Sequence, residues 1–345
     1  TAARAAPALE WLSAHGARFV KASAIAWHRW TFAPPRPLRP GFDHPGTGAD
    51  MLLERLAADL ERLGGTIRSG ARATAVERVD GGFRVSIDGN EAIVAPVLVI
   101  ADGGFQGNAE DVSRHVTPRV DRIVQRGAGT GSGFALAAAA GLGCGIVGVG
   151  PFYGHLLSRK ALSEPGFNPY PQIDPVAAAG IVVGADGRRF ADEGLGGVFL
   201  ANALAALPDP ASTFAVADAA IWKAASERAL YPIAPYLEHA EGALVRAATL
   251  AELAQAAGID PQALEETVAG YNRAVLEAAS GLAVPRSGTP APIVTPPFIA
   301  IPLAPGITNT MGGIAVDASA RALDAAGSPI DGLYAVGASA GGLEG

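Results

Sequence analysis

The sequence is poor in three features that would define other classes of protein. It contains a single cysteine, Cys144, which excludes an intrachain disulfide, favours a buried structural thiol over a nucleophile and makes the reducing cytoplasm the expected location. No stretch reaches the about 18 uninterrupted apolar residues of a transmembrane helix, so no membrane span is predicted. The formal net charge of −7, with 26 basic against 33 acidic residues, lacks the basic excess that nucleic-acid binding usually requires.

Motifs for metal and dinucleotide binding are also missing. The 6 histidines have no paired spacing typical of metal ligands, so no metal site is predicted. Residues 1–60 contain no strand followed by G-x-G-x-x-G and a helix, the pattern with which a dinucleotide-binding domain begins. The loop Gly127-Ala-Gly-Thr-Gly-Ser-Gly133 is rich in glycine, but its spacing differs and no long strand precedes it.

The patterns that are present predict a mixed α/β protein. The 345 residues are enough for two domains with a sizeable core. Apolar spacing and capping residues predict helices over residues 4–15, 48–63, 107–115, 133–140, 196–206, 218–228, 249–257 and 260–279. Apolar runs and turn residues predict strands over residues 66–69, 73–78, 82–87, 91–95, 97–101, 298–303, 313–316 and 332–337. Loops are expected to dominate residues 146–195, so we predict a mixed sheet interrupted by a largely helical insertion.

Four segments carry a resemblance to a known family. They are Val97-Leu-Val-Ile-Ala-Asp-Gly-Gly-Phe-Gln-Gly-Asn108, Gly187-Arg-Arg-Phe-Ala-Asp-Glu193, Asn309-Thr-Met-Gly-Gly-Ile314 and Gly332-Leu-Tyr-Ala-Val-Gly-Ala-Ser-Ala-Gly-Gly342. In this order and at these separations they resemble the FAD-binding flavoprotein superfamily of fumarate reductase and succinate dehydrogenase, in the branch of tricarballylate and 3-ketosteroid dehydrogenases. The resemblance implies an FAD-binding domain split by an inserted capping domain, with the substrate held between the cap and the isoalloxazine ring.

The resemblance also implies domain boundaries and an incomplete cofactor site. We expect residues 1–145 to form part of the FAD-binding domain, residues 146–303 to form the cap, and residues 304–345 to return to the FAD-binding domain. Because the dinucleotide motif is missing, we expect an upstream portion to be absent. We therefore expect the chain alone to bind FAD weakly or not at all and to be inactive.

Glycine turns at the ends of two apolar strands are the candidates for FAD contact. Since glycine has no Cβ, its backbone N–H groups can approach a pyrophosphate or a flavin closely. The candidate cofactor-binding residues are Ala101, Asp102, Gly103, Gly104, Gly312, Gly313, Gly337, Gly341 and Gly342. The alternative is that these are ordinary turns that need glycine for a positive φ. Ala338 stands where the family usually has a glutamate for the ribityl chain, and this departure weakens the correspondence there.

Catalytic candidates follow from the resemblance as well. The histidine of the segment that leads into the cap corresponds to His155, a candidate acid–base residue because imidazole titrates near neutrality. The glutamate of the G-x-R-F-x-x-E pattern corresponds to Glu193, and Tyr153 is a further candidate acid. The alternatives are a histidine satisfied by a backbone carbonyl, a structural ion pair of Glu193 with Arg188 or Arg189, and a packing aromatic.

Two departures from the family bear on the substrate. Trp222 stands where fumarate-reducing members have their proton-donating arginine, and Asn309 stands where they have a histidine. With Thr310, these residues are the candidate substrate contacts. Because a dicarboxylate needs bidentate cationic partners, fumarate reduction is not expected, and a bulkier or less charged substrate is.

The sequence therefore predicts an FAD-dependent dehydrogenase or reductase. It would act on a carbon–carbon bond of an organic acid or cyclic ketone by hydride transfer to or from flavin N5. Its partners would be a small-molecule substrate and an electron donor or acceptor that the sequence does not identify. The alternative is a non-catalytic remnant or fragment of the fold that does not bind FAD.

Overall fold

The computed structural model describes residues 2–20, 31–32, 49–88, 91–164, 167, 173–228, 237–238, 240–277 and 281–342. Helices in these residues are α1 (Ala2–Ala14), α2 (Ala49–Arg62), α3 (Ala109–His115), α4 (Phe134–Leu142), α5 (Asp174–Ala179), α6 (Gly197–Ala205), α7 (Ala219–Arg228), α8 (Leu250–Ala257) and α9 (Pro261–Leu276). Strands are β1 (Phe19–Val20), β2 (Thr31–Phe32), β3 (Ala73–Val79), β4 (Gly82–Ile87), β5 (Glu91–Ala95), β6 (Leu98–Ile100), β7 (Val124–Gln125), β8 (Ile146–Val147), β9 (Phe152–Ser158), β10 (Ile181–Gly184), β11 (Thr213–Asp218), β12 (Val245–Ala247), β13 (Phe298–Thr310), β14 (Gly313–Ala315), β15 (Arg321–Leu323), β16 (Pro329–Ala335) and β17 (Ala340–Gly341). The predicted mixed α/β class is confirmed.

Contact density divides the chain into two compact units. The first comprises Thr1–Ala73 and Ile87–Gly89 and contains α1, α2 and the antiparallel pair β1–β2. Its helix α2 confirms the prediction over 48–63 and is followed by Gly64 at φ +88°. The strand predicted over 66–69 is wrong: these described residues form irregular chain and a turn. The segment is short and Ile67 is exposed, so it has neither a ladder partner nor a buried face.

The second unit, Thr74–Ser86 and Asn90–Gly345, contains the strands predicted over 97–101 and 332–337. β6 pairs in parallel with β16, and Leu98 lies beside Leu333. β15 pairs with β16, the order β17-β14-β8 forms a second small sheet, and β3-β4-β5 form a third. Their common core includes Phe83 and Ile314. Cys144 is buried in this core as predicted, and burial raises the pKa of its thiol.

A larger sheet organises residues 152–310 of the same unit. Its path is β10-β11-β13-β12, and β13 also pairs in parallel with β7 and antiparallel with β9. Helices α5 to α9 pack against this sheet around one hydrophobic core. The expectation that loops dominate residues 146–195 is therefore wrong, because β9, α5 and β10 lie there. β9 begins with an alternating burial pattern and ends with three buried residues in a row, so its sequence gives no clear period of two.

The long strand β13 changes partners along its length. Residues Phe298 to Pro302 pair with β11, and residues Leu303 to Thr310 pair with β9. The change falls at the boundary that the sequence places between the cap and the return segment, although the division at 145 and 303 stays a prediction. In the described part of the chain, every helix is too short or too polar to cross a lipid bilayer.

Candidate active site

His155 lies on β9 and is bonded to a carboxylate at the start of α5. Its Nδ1 is 2.5 Å from Oδ2 of Asp174, and the other carboxylate oxygen accepts the N–H of Leu156 at 2.8 Å. The two side chains are 16% and 19% exposed. A carboxylate accepts hydrogen bonds, so Nδ1 is the donor in this pair and Nε2 lies outside the hydrogen bond.

Asp174 is a residue that the sequence reasoning missed. The pair Asp174-Pro175 has the composition of a helix start, and Pro175 does lie in the first turn of α5. The Asp-Pro pair predicts where a helix begins but does not predict that Asp174 contacts His155. Only the fold brings this carboxylate to the edge of β9, where it meets both His155 and the adjacent backbone.

Tyr153 and Asn309 lie beside His155 on the same pair of strands. The ring of Tyr153 packs edge-on against the imidazole, with 5.3 Å between ring centroids and 80° between planes. Tyr153 as a whole is 39% exposed. Asn309 pairs directly with Tyr153 across an irregularity in the register of β13. The structure thus brings together three of the candidates that the sequence proposed separately.

Thr310 links β13 to the turn after β6 through a hydrogen bond. Its Oγ1 accepts the N–H of Phe105 at 3.2 Å, and its side chain is buried. A Cβ on Gly104 would lie 2.1 Å from the same oxygen, so only glycine fits this close approach. The hydroxyl of Thr310 is therefore engaged within the protein, and its contact with substrate stays a prediction.

Hydrogen bonds of Asp102 connect the turn after β6 and the turn after β16, both candidates for FAD contact, to helix α4. Its carboxylate accepts the N–H of Ala135 at 3.1 Å and the hydroxyl of Ser339 at 2.9 Å. The same hydroxyl oxygen accepts the N–H of Gly103 at 3.0 Å. Gly103 and Gly337, at φ +94° and +63°, follow the parallel strands β6 and β16, and the described atoms leave 4 Å clear around the Cβ position of each. Backbone at this edge is accessible to a ligand.

Of the other candidate cofactor residues, some are closely packed against neighbouring strands and others are exposed. A Cβ on Gly312 would lie 2.2 Å from the carbonyl oxygen of Gly148, and one on Gly341 would lie 2.5 Å from the nitrogen of Gly313. Close strand packing at β8, β14 and β17 therefore accounts for glycine at these positions. The exposed residues are Ala101, which directly follows β6, and Gly342, which directly follows β17. Contact of this group with FAD stays a prediction.

Glu193 lies in a buried cluster of ions. Its carboxylate accepts from Nε and Nη2 of Arg189 at 2.9 and 2.5 Å and from the N–H of Val182 at 2.9 Å, and Nε of Arg286 is 3.6 Å away. Glu193 is 0% exposed, and the side chains of Arg189 and Arg286 are 5% and 3% exposed. Arg189 also donates to two carbonyl oxygens at residues 284 and 285. These contacts connect β10 to the chain that returns toward β13. Of the two arginines proposed as ion-pair partners of Glu193, Arg188 and Arg189, it is Arg189 that forms the pair.

Trp222 lies in the hydrophobic core around the larger sheet. It is 8% exposed on α7, and the guanidinium of Arg246 lies 5.6 Å from its ring centroid. Its neighbour Ile221 lines a cleft of about 730 Å³ between α5 and α7, which also contacts Pro175 and Arg286. Contact of Trp222 with substrate stays a prediction.

Comparison with known proteins shows the family to which the chain belongs. The chain matches the FAD binding domain family over residues 1–345, and it belongs to that family, within the flavoprotein superfamily of fumarate reductase and succinate dehydrogenase.

Two curated relatives and one solved structure illustrate the relationship. The chain is 28% identical over 363 residues to the NADH:acrylate oxidoreductase of Vibrio harveyi, covering 99% of this chain and 33% of that protein. It is 32% identical over 270 residues to the NADH:fumarate oxidoreductase of Klebsiella pneumoniae (strain 342), covering 76% of this chain and 27% of that protein. The chain thus spans a third or less of the length of these relatives. The 3-ketosteroid-Δ4-(5α)-dehydrogenase of Rhodococcus jostii RHA1, solved with 4-androstene-3,17-dione, shares the fold with a TM-score of 0.66 at 20% identity, covering 99% of this chain and 73% of that one.

Proposed function

We propose that this chain forms the substrate side of an FAD-dependent oxidoreductase that acts on a carbon–carbon bond, with His155 as the acid–base residue. The observation that carries the proposal is the bond between Nδ1 of His155 and Asp174. A carboxylate that fixes one ring nitrogen leaves the other oriented for proton transfer, as in catalytic histidine–carboxylate pairs. The phenol of Tyr153, whose ring packs against the imidazole, would be a second proton donor.

The turns after β6 and β16 fit FAD. Gly103 and Gly337 offer unobstructed backbone at the carboxyl ends of parallel strands, and Asp102 with Ser339 holds the two turns together. Bound FAD supplies the hydride equivalent through N5. His155 would deliver a proton to the adjacent substrate carbon in a reduction, or remove it in a dehydrogenation, while Asp174 keeps the imidazole oriented.

The 345-residue chain alone would hold FAD weakly and would not turn over. Residues 1–60 lack the glycine-rich turn and helix N-terminus that normally bind the pyrophosphate, so the remaining turns supply only part of the binding energy. Titration of this chain with FAD, followed by flavin fluorescence, should show weak binding. Tight, stoichiometric binding by these residues would contradict the proposal.

The substrate would carry little charge. The relatives are named for acrylate and fumarate, and the solved structure holds a steroid ketone. Among these the presence of Trp222 and Asn309 at family positions for cations favours a monocarboxylic acid or a cyclic ketone. The relatives named for NADH support a nicotinamide or another soluble carrier as electron partner, and the single thiol favours the cytoplasm.

The test compares His155→Ala with Asp174→Asn in the flavin-loaded protein, by which we mean the full-length enzyme of which this chain would form part. Loss of a general acid or base should lower kcat by about 10²-fold or more, and loss of its orienting carboxylate should produce a similar decrease with flavin content unchanged. His115→Asn is the matched control, because that histidine also makes an edge-on aromatic contact but lies on α3. Unchanged rates in both site variants would overturn the assignment, and a protein that takes up no FAD would support the non-catalytic alternative.

A further inference from the structure

The edge of β9 that faces away from β13 is hydrogen-bonded by side chains of α5 and α6. Leu156 pairs with Pro305 of β13, which has no N–H, and its own N–H donates to Asp174 on the other edge at 2.8 Å. Every second residue of a strand directs its N–H and C=O groups to the same edge, so those of Phe152 also face away from β13. Their partner there is Asn202 on α6.

The carboxamide of Asn202 bonds Phe152 as a neighbouring strand would. Its Oδ1 accepts the N–H of Phe152 at 3.0 Å, and its Nδ2 donates to the carbonyl oxygen of the same residue at 2.8 Å. Nδ2 also donates to the carbonyl oxygen of Val198, one helical turn earlier on α6, at 2.8 Å. The amide thus uses both of its donors and its acceptor, a set of bonds that neither a carboxylate nor an apolar side chain could make.

These bonds act where the ladder between β9 and β13 is irregular. The register shifts between Ile307 and Asn309, and Asn309 is the residue that pairs with Tyr153. Such a shift leaves a residue of one strand unpaired and disrupts the ladder locally. The hydrogen bonds of Asn202 to Phe152, the residue directly before Tyr153, therefore fix this part of β9 from its other edge.

Two side chains on one edge of β9 thus flank the proposed acid–base groups. Asp174 bonds the residue that follows His155 and also the imidazole itself. Asn202 bonds the residue that precedes Tyr153, and the ring of Tyr153 lies 5.3 Å from that of His155. Between these two points the strand carries both rings.

We propose that Asn202 is a positioning residue that holds Tyr153 against the imidazole of His155 for proton transfer. This inference rests on the proposed function, in which the phenol of Tyr153 is a second proton donor. Asn202 acts through the backbone of Phe152. Because the phenol hydroxyl lies at the far end of its ring, a small rotation of the backbone there displaces it, and a misplacement of about 1 Å can cost about 10²-fold in rate.

A double-mutant cycle in the flavin-loaded full-length enzyme tests this role. Asn202→Ala should lower kcat by about 10- to 10²-fold and change KM by less than about threefold. In a Tyr153→Phe background the same change should cost less than about threefold, because the hydroxyl that it displaces is gone. Asn272→Ala is the matched control, since Asn272 on α9 bonds the N–H and C=O of Ile293 in the same way, at 2.7 and 2.8 Å. The assays use cyclohex-2-enone with reduced methyl viologen and cyclohexanone with an oxidising dye.

A second measurement on the 345-residue chain needs neither cofactor nor substrate. In the NMR spectrum of protein with labelled histidine, the ring protons of His155 sense the neighbouring ring of Tyr153. Asn202→Ala should move these resonances toward their positions in Tyr153→Ala, whereas Asn272→Ala should leave them in place. Asn202→Gln, which carries the amide on a stem longer by one methylene, should act in the same direction and replaces the alanine variant if that variant does not fold.

The outcomes separate this inference from the proposed function. Equal losses of kcat in the two backgrounds, a fully active Tyr153→Phe enzyme, or resonances of His155 that Asn202→Ala leaves unmoved would overturn the positioning role and leave His155 as the acid–base residue. If neither assay gives turnover, the resonances decide. A His155→Ala enzyme with the wild-type rate would overturn both.

Discussion

Two groups of the second unit that the resemblance proposes as catalytic, His155 and Glu193, differ in exposure and in their hydrogen-bond partners. The face of β9 with His155 and Tyr153 is partly open, and a single carboxylate orients its imidazole. The cluster around Glu193 is closed, and its carboxylate is shared by Arg189, Arg286 and a backbone N–H. Only one ring nitrogen of His155 is bonded to Asp174. In contrast, both carboxylate oxygens of Glu193 accept hydrogen bonds from the protein.

The contrast shows why a motif match alone does not define a catalytic residue. The G-x-R-F-x-x-E pattern places an arginine and a glutamate four residues apart, and in this fold that spacing closes an ion pair within the core. Such a pair ties two stretches of chain together at a high cost in desolvation, which its hydrogen bonds offset. We therefore expect loss of Glu193 to act on stability and loss of His155 to act on turnover.

The largest expected effect is on folding. Glu193→Gln would leave two buried guanidinium groups without their carboxylate and should lower the free energy of unfolding by about 3–5 kcal/mol. Chemical denaturation measures this, with Glu238→Gln as the control, because Glu238 pairs with Arg246 at a half-exposed site and should contribute about 1 kcal/mol or less. If the variant instead folds normally and loses turnover, Glu193 belongs to the chemistry and the comparison fails.

Most helices were predictable because their signals are local. Asp260 accepts the N–H of Ala263 at 2.9 Å and Pro261 opens α9, as the Asp-Pro pair predicts. The apolar run at residues 97–101 likewise predicted the parallel strand β6, although Val97 and Val99 are exposed. Strand β9 was missed because both of its faces are buried along its second half, so its sequence does not alternate. The segment at 66–69 shows the opposite error: a strand was predicted, but the segment has no pairing partner.

The candidate site was predictable only in its members that belong to family motifs. His155 and Asn309 stand in such motifs, and pairing of β9 with β13 brings them close. Asp174 reaches the same place through a helix start, which no local pattern connects to His155. Tertiary pairing, rather than composition, assembles these groups.

The smallest expected effect concerns substrate charge, and it tests whether the site binds a dicarboxylate without the two cations that family members have. With Trp222 and Asn309 at positions where family members have arginine and histidine, the substrate pocket would lack two cations, and burying a dicarboxylate without them would cost several kcal/mol. We therefore expect fumarate and succinate to be neither substrates nor tight inhibitors, and cyclic enones or monocarboxylic acids to turn over faster. A dye-linked turnover screen of the flavin-loaded protein measures this.

Trp222→Arg provides the second half of that test. If residue 222 faces the substrate, the new cation should improve binding of fumarate by about tenfold while leaving neutral ketones unaffected. If Trp222 only packs in the core, the same change buries an unpaired charge, lowers the unfolding temperature and gives no gain in dicarboxylate binding. Lys223→Arg, at an exposed neighbouring position on α7, controls for added guanidinium on the same helix. Rapid turnover of fumarate by the unaltered protein would show that another segment supplies the missing cation, or that residue 222 does not correspond to the arginine of the family.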